Sequence, residues 1–151
     1  MAKTKQGWVQ DYYKPKHPEK YAGDVENIFY RSSWERDAFM FLDNNPNVLR
    51  WSSEEIVIPY MRPTQSGQIK KSKYYPDIYM EYKDRAGKLC KELIEIKPKK
   101  QTSPSRSRNA KTKLYENQVY HKNLLKWEAA DKWCKMRGIK FRILNEEEQF
   151  N

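Results

Sequence analysis

The chain has 151 residues, with 30 Lys and Arg against 20 Asp and Glu for a formal charge of +10, which fits one domain with a polyanionic partner, most commonly nucleic acid. Leu, Ile, Val and Phe supply only 27 residues, a share that would suggest disorder, but 5 Trp and 11 Tyr can build a modest core instead. No run approaches the ~20 apolar residues of a membrane span and no secretory h-region opens the chain, so a soluble protein without a membrane partner is expected.

Residues 1–30 are polar and Tyr-rich, and read as an irregular arm packed on the domain. The first helix follows Arg31: Ser32 is placed to cap it, with Glu35 at capping-box spacing, and Trp34, Ala38, Phe41 and Leu42 form an apolar stripe before Asn44-Asn45-Pro46. EIVIPY at 55–60 predicts a strand closed by Pro59, and 61–72 a Lys-rich loop around Gly67. Two further strands, 74–82 and 89–97, flank turn residues 83–88 and predict a hairpin. Residues 97–113 hold seven basic side chains and no acidic one. A long helix over 110–137 carries the stripe Val119, Asn123, Trp127, Ala130 and Cys134, and Gly138 stops it. Alternating Ile139, Phe141 and Ile143 make a last strand before an acidic tail, Glu146 to Glu148. The expected class is α/β, a mixed sheet flanked by helices in the order αβββαβ.

Two Cys (Cys90, Cys134) and two His (His17, His121) lie too far apart for a zinc module, and two buried reduced thiols are expected. The chemistry concentrates in the hairpin. Counting back from a turn at 84–87 sets Asp77 opposite Ile94, one place from Glu95, while Glu95 and Lys97 share a face. A one-residue bulge or register shift would put the two carboxylates side by side. Like charges so placed repel unless a cation joins them, and a hard divalent ion with oxygen ligands does this. Lys97 could then hold an attacking water or stabilise phosphate charge. The competing reading is an ordinary cross-strand pair with a salt bridge.

Pro76-Asp77 followed eighteen positions on by Glu95-Ile96-Lys97 resembles the PD-(D/E)xK nuclease signature, and the element order is that of the restriction-endonuclease-like core. The stretches KYAGDVENIFYRSSWE (20–35), NNPNVLRWSSEEIVIPY (44–60), KYYPDIYM (73–80), ELIEIKPKKQT (92–102) and NLLKWEAADKWCKMRGIKFRIL (123–144) resemble the head-completion nucleases of contractile-tailed bacteriophages. The chain is also similar to the nuclease subunit of heteromeric transposases, through SxxE on the first helix and the D…ExK core. The resemblance covers roughly 20–145. It implies a nuclease domain at 31–145, an arm at 1–30 and an acidic tail at 146–151.

The resemblance further implies Asp77, Glu95 and the Ile96 carbonyl as metal ligands, Glu35 as a further ligand, and Lys97 positioning the water. Glu35 has a competing duty in the capping box. The implied cofactor is Mg²⁺, with Mn²⁺ substituting. The implied substrate is double-stranded DNA, including single-stranded flaps or ends trimmed before tail attachment. Portal or neck proteins are implied partners, in the host cytoplasm or the virion. The alternatives are a non-catalytic DNA-binding structural virion protein and a transposon-end nuclease subunit; oligomeric state stays open. A QxxxY motif is absent, since Gln118 is followed by Lys122 at that spacing.

Candidate phosphate contacts are Arg31, Ser32 and Ser33 at the first helix's N-terminus, and Lys99, Lys100, Arg106, Arg108, Lys111 and Lys113 in the basic run. Asn123 and Lys126, one turn apart, are candidates to face the site. Trp34, Trp51, Trp127 and Trp133 are assigned to core, leaving no stacking platform for single strands.

Overall fold

The computed structural model describes residues 2–3, 9–145 and 147–148. The remainder of the expected arm (1 and 4–8) and of the acidic tail (Glu146 and 149–151) lies outside the described residues. The strands are β1 (Ala2–Lys3), β2 (Val9–Tyr12), β3 (Phe29–Tyr30), β4 (Val48–Ser53), β5 (Ile58–Pro63), β6 (Ile69–Tyr74), β7 (Ile78–Lys83), β8 (Leu89–Ile96) and β9 (Lys140–Leu144). The helices are α1 (Ser33–Asn44) and α2 (Ala110–Lys135). The chain forms two compact units, one from Met1–Ile56 and Ile78–Glu92, the other from Val57–Asp77 and Leu93–Gln149.

The first unit is built around aromatic rings. The Ser32 hydroxyl accepts the Glu35 N–H at 3.1 Å and starts α1, as the capping spacing predicts. Ala38, Phe39, Leu42 and Asp43 are the buried face of α1, so Phe39 takes the inside place expected for Phe41. Phe39 packs at 5.4 Å on Trp51 of β4, which also receives Tyr21 (4.8 Å) and Tyr13 (6.1 Å) edge-on. The segment before α1 is more regular and more buried than expected. It contributes the antiparallel sheet β1-β2-β3 and buries Tyr21, Ile28 and Tyr30. Its tyrosines can enter because their hydroxyls are satisfied: Tyr21 donates to Glu55 at 2.9 Å, and Tyr13 donates to buried Asp43 at 2.6 Å. Asp43 also accepts the backbone N–H groups of Lys16 (2.7 Å) and His17 (2.9 Å), which pins the arm to the end of α1.

β4 pairs antiparallel with β7, Trp51 opposite Met80, in a sheet of order β4-β7-β8-β9. β8 runs from the first unit into the second. The expected αβββαβ order is met by α1-β4-β7-β8-α2-β9, but its first strand is 48–53 rather than 55–60. Residues 58–63 instead join 69–74 in a separate two-stranded hairpin, so the loop expected over 61–72 is mostly strand. Pro59 does not close β5, because a two-stranded ribbon has edges that tolerate a missing N–H. The strand expected over 74–82 breaks after Tyr74, with Pro76 between β6 and β7.

Both hairpins turn by the same chemistry. The Thr64 N–H donates to the Gln68 carbonyl at 2.7 Å with Gly67 at φ 82°, and the Asp84 N–H donates to the Lys88 carbonyl at 3.0 Å with Gly87 at φ 78°.

In the second unit, Asn109 caps α2 by accepting the Thr112 N–H at 3.0 Å, and Asn123, Trp127, Ala130 and Cys134 are buried along one stripe, as the periodicity predicts. Gly138 at φ 68° lets the Ile139 N–H return to the Cys134 carbonyl at 2.9 Å. Leu93, Ile94, Ile58, Tyr60 and Leu144 add to the core. Both cysteines are free; Cys134 is buried, which raises its thiol to about 11, whereas Cys90 is half-buried rather than buried. Among the described residues no helix is long and apolar enough to cross a membrane.

Candidate active site

The β7–β8 turn decides the register that matters. Pairing Asp84 with Lys88 gives a three-residue turn, one residue different from the expected four, and counting back from it sets Asp77 opposite Glu95. Asp77 Oδ2 accepts the Ile96 N–H at 2.7 Å, holding the carboxylate across the end of β8. Glu95 is only 4% exposed, and Lys97 Nζ stands 3.4 Å from its Oε2. The Lys97 N–H donates to the Leu144 carbonyl at 2.9 Å, so β9 fixes the backbone that carries this lysine. Asp77, Glu95, Ile96 and Lys97 are thus gathered at one place. A nearly buried carboxylate there needs a cation, and Lys97 supplies one.

Tyr74 and α2 complete this cluster. The Tyr74 side chain is buried, with its hydroxyl beside the Glu95 carboxylate. Burial, then the Glu95 and Asp77 carboxylates, hold its proton well above the ordinary phenol range. Lys126 Nζ lies 5.6 Å from the centre of the Tyr74 ring. Burial and the neighbouring Lys122 and Lys97 lower the Lys126 ammonium's pKa, against the pull of Glu95 and Asp77. Asn123, 4% exposed, keeps an amide Nδ2 without a partner among the described residues. Lys126 therefore lies within the field of the Glu95 and Asp77 carboxylates, and Asn123, one turn before it on α2, is buried rather than exposed helix polarity. Tyr74 was not singled out by sequence, since a Tyr in a Tyr-rich strand carries no signal.

Glu35 belongs to the first unit. Its Oε1 accepts the Arg31 N–H at 2.8 Å, one residue before the capping-box partner expected for it. Burial raises the Glu35 pKa; the Arg31 N–H opposes the rise and Glu54 adds to it. Carboxylate oxygens of Glu35 and Glu54 lie within 4.8 Å of one another. Glu54, which sequence reasoning missed, sits in the left-handed region at φ 55° and pairs with the Arg31 guanidinium. The Glu54-Glu55 doublet was its only signal. Arg31 also lies 5.5 Å over the Phe29 ring, and the Ser32 hydroxyl is taken by the cap, while Ser33 is exposed.

Lys99 and Lys100 stand on a single 3-10 turn, Lys99–Thr102. Lys99 pairs with Glu147 of the tail at 3.2 Å, an exposed contact of little worth. Arg106, Arg108, Lys111 and Lys113 are exposed. The first turn of α2 carries no acid, and cations there oppose the helix dipole, a cost that a bound anion offsets.

Comparison with known proteins agrees with this chemistry. The family model described as TnsA-like endonuclease N terminal matches residues 45–146. The head completion nuclease of Enterobacteria phage T4 is 43% identical over 139 residues, covering 88% of this chain and 88% of that protein. No solved structure matches the chain. With two carboxylates and a lysine at the end of a hairpin, and a family match that spans most of the chain, this protein belongs to the TnsA-like endonuclease family.

Proposed function

We propose that the chain is a metal-dependent DNA endonuclease that trims duplex ends or single-stranded flaps as a phage head is completed, before tail attachment. Residues 31–145 form its nuclease domain, with the 1–30 arm before it and the 146–151 tail after it. The observation that supports this most is the convergence of Asp77, buried Glu95 and Lys97 where β8 ends. The similarity to the T4 head completion nuclease supports the setting, which is the host cytoplasm or the virion, with portal or neck proteins as partners.

The donor set suits a hard divalent cation. Asp77, Glu95 and the Ile96 carbonyl are the oxygen ligands that Mg²⁺ takes, and Mn²⁺ fits such a set too. Glu35 is the further ligand; crowded by Glu54 and held in a buried place, its carboxylate gains from a shared cation. When bound, the ion supplies charge stabilisation on the phosphate. The Lys97 ammonium holds the attacking water, which adds to phosphorus in line with the departing 3′ oxygen. The phosphorus–oxygen bond then breaks, the attacking water losing a proton to solvent and the departing 3′ oxygen taking one up, which leaves a 5′ phosphate and a 3′ hydroxyl. Asn123 and Lys126 orient the scissile phosphate with donors that are otherwise unspent or weakly held. Ser32 and Ser33 with Arg31, and the run Lys99, Lys100, Arg106, Arg108, Lys111 and Lys113, track the flanking backbone.

The test is assembly in cells where the only copy of the chain carries Glu95→Gln. Filled heads without tails should accumulate. A normal yield of infectious particles would overturn end trimming and favour a structural DNA-binding protein.

A further inference from the structure

We propose that the basic segment and the first turns of α2 form a binding site for one unpaired nucleotide of a single-stranded DNA tail or flap. The inference rests on the DNA endonuclease reading and specifies its substrate. Two adjoining cavities carry it. One, of about 210 Å³, is lined by Tyr115, Tyr120, Val119, Lys100 and Gln101. The other, an open cleft of about 510 Å³, is lined by Lys99, Lys100, Arg106 and Ser107. Lys100, Ser103, Ser105 and Glu116 are common to both walls, so the cavities are neighbours.

The two linings match the two parts of a nucleotide. Phenol rings and an isopropyl group give flat apolar walls for a base, and the Gln101 amide can meet its polar edge. Three cations in the cleft give the phosphate its counter-charge. The smaller cavity falls below the about 300–1,000 Å³ of pockets that enclose drug-sized ligands, which suits one ring system and excludes a base pair. The balance of charge sets the orientation. Glu116 lines both cavities, but in the smaller one it meets Lys100 alone, whereas in the cleft Lys99, Lys100 and Arg106 outweigh it, so the phosphate goes to the cleft and the base to the smaller cavity.

The site is ordered before anything binds. Glu116 Oε1 accepts the Ser105 hydroxyl at 2.8 Å, and Asn117 Oδ1 accepts the Ser105 N–H at 2.8 Å, tying the basic loop to α2. The Ser107 N–H reaches the Ser105 hydroxyl at 3.2 Å, and the Thr102 hydroxyl donates to the Lys99 carbonyl at 2.6 Å. Such preorganisation lowers the entropy cost of closing a loop on a ligand. The stacking surface that the tryptophans lack is supplied instead by two tyrosines.

The experiment uses the full chain without metal, so that binding is read apart from cutting. The probe is a duplex with a single-stranded tail whose first unpaired base is 2-aminopurine, and a blunt duplex is the control. Wild type should change the 2-aminopurine fluorescence on binding. Tyr115→Ala and Tyr120→Ala should weaken the tailed duplex about fivefold or more relative to the blunt one, and Tyr120→Phe should retain the preference. Tyr115 is 67% exposed, so its replacement spares the fold. An unchanged fluorescence in wild type, or equal weakening of tailed and blunt duplexes by both alanine variants, would overturn the proposal. Failure to cut either duplex once metal is added would count against the nuclease reading and leave this one standing.

Discussion

Asp77 is the residue at which fold and chemistry are most tightly joined, and two replacements separate them. Asp77→Ala removes the acceptor of the Ile96 N–H, a bond of 2.7 Å, and strands that donor at the end of β8. Leaving such a group unpaired costs about 1–3 kcal/mol. For a domain of this size each kcal/mol moves the melting temperature by about 2–4 °C, so the variant should melt about 2–12 °C lower. Asp77→Asn keeps an amide oxygen in the same place and loses only the charge assistance, about 1 kcal/mol, partly offset by relief of repulsion from Glu95. Under the proposed function both variants lose a metal ligand and should cut DNA at least about 100-fold more slowly, more than the about 10–100-fold typical of outer-shell changes. The assay is thermal unfolding beside cleavage of duplex DNA under one buffer. Equal melting temperatures for the two variants would refute the backbone-tethering role, and wild-type cutting by Asp77→Asn would refute the ligand role.

Other consequences follow from the same geometry. Asp43→Ala should cost at least about 1–3 kcal/mol in urea unfolding, because the Tyr13 hydroxyl and two backbone donors lose a buried acceptor. Burial alone would raise the Asp43 pKa, but those donors hold it below 3.8, so its stabilisation is full above about pH 4 and drains away as pH falls through the folded-state value. Asp43→Asn should flatten that acid limb. Glu35 runs the other way: its pKa is raised above 4.5, so stability of the metal-free protein should fall as pH climbs through that range. Glu35→Gln keeps the acceptor for the Arg31 N–H and should melt higher than wild type at pH 7 without metal; identical profiles would contradict this. Lys126→Ala should weaken DNA binding and reduce the slope of log affinity against log salt by about 1. Lys126→Arg should restore the slope.

What the chain makes legible, and what it hides, differs by element. α2 is plain in sequence because Asn123, Trp127, Ala130 and Cys134 repeat at helical spacing and Gly138 ends them. The D…ExK set is legible because Glu95 and Lys97 share a strand face and the turn lies near 84–88. The place of β4 is not. Val48–Ser53 has little β-branched content, and it earns its strand by burying Trp51 among Tyr13, Tyr21 and Phe39, contacts made by residues far away in the chain. EIVIPY attracted the assignment through local propensity, a weak guide where tertiary packing decides. β6, Ile69–Tyr74, hides for a related reason: its outer residues are exposed lysines with no apolar alternation, and the pairing with β5 creates it. Tyr74 comes beside Glu95 through burial, and Glu54 comes beside Glu35 in the first unit through its left-handed backbone, neither of which composition encodes.

The most direct test of the account is cleavage of supercoiled plasmid and of linear duplex bearing single-stranded flaps. Wild type and Glu95→Ala are each assayed with Mg²⁺, with Mn²⁺ and with EDTA. The account predicts cutting by wild type with either metal, none with EDTA, and none by Glu95→Ala under any condition. Cutting that survives EDTA or the loss of Glu95 would contradict it, as would the absence of cutting by a wild-type protein that binds both DNAs.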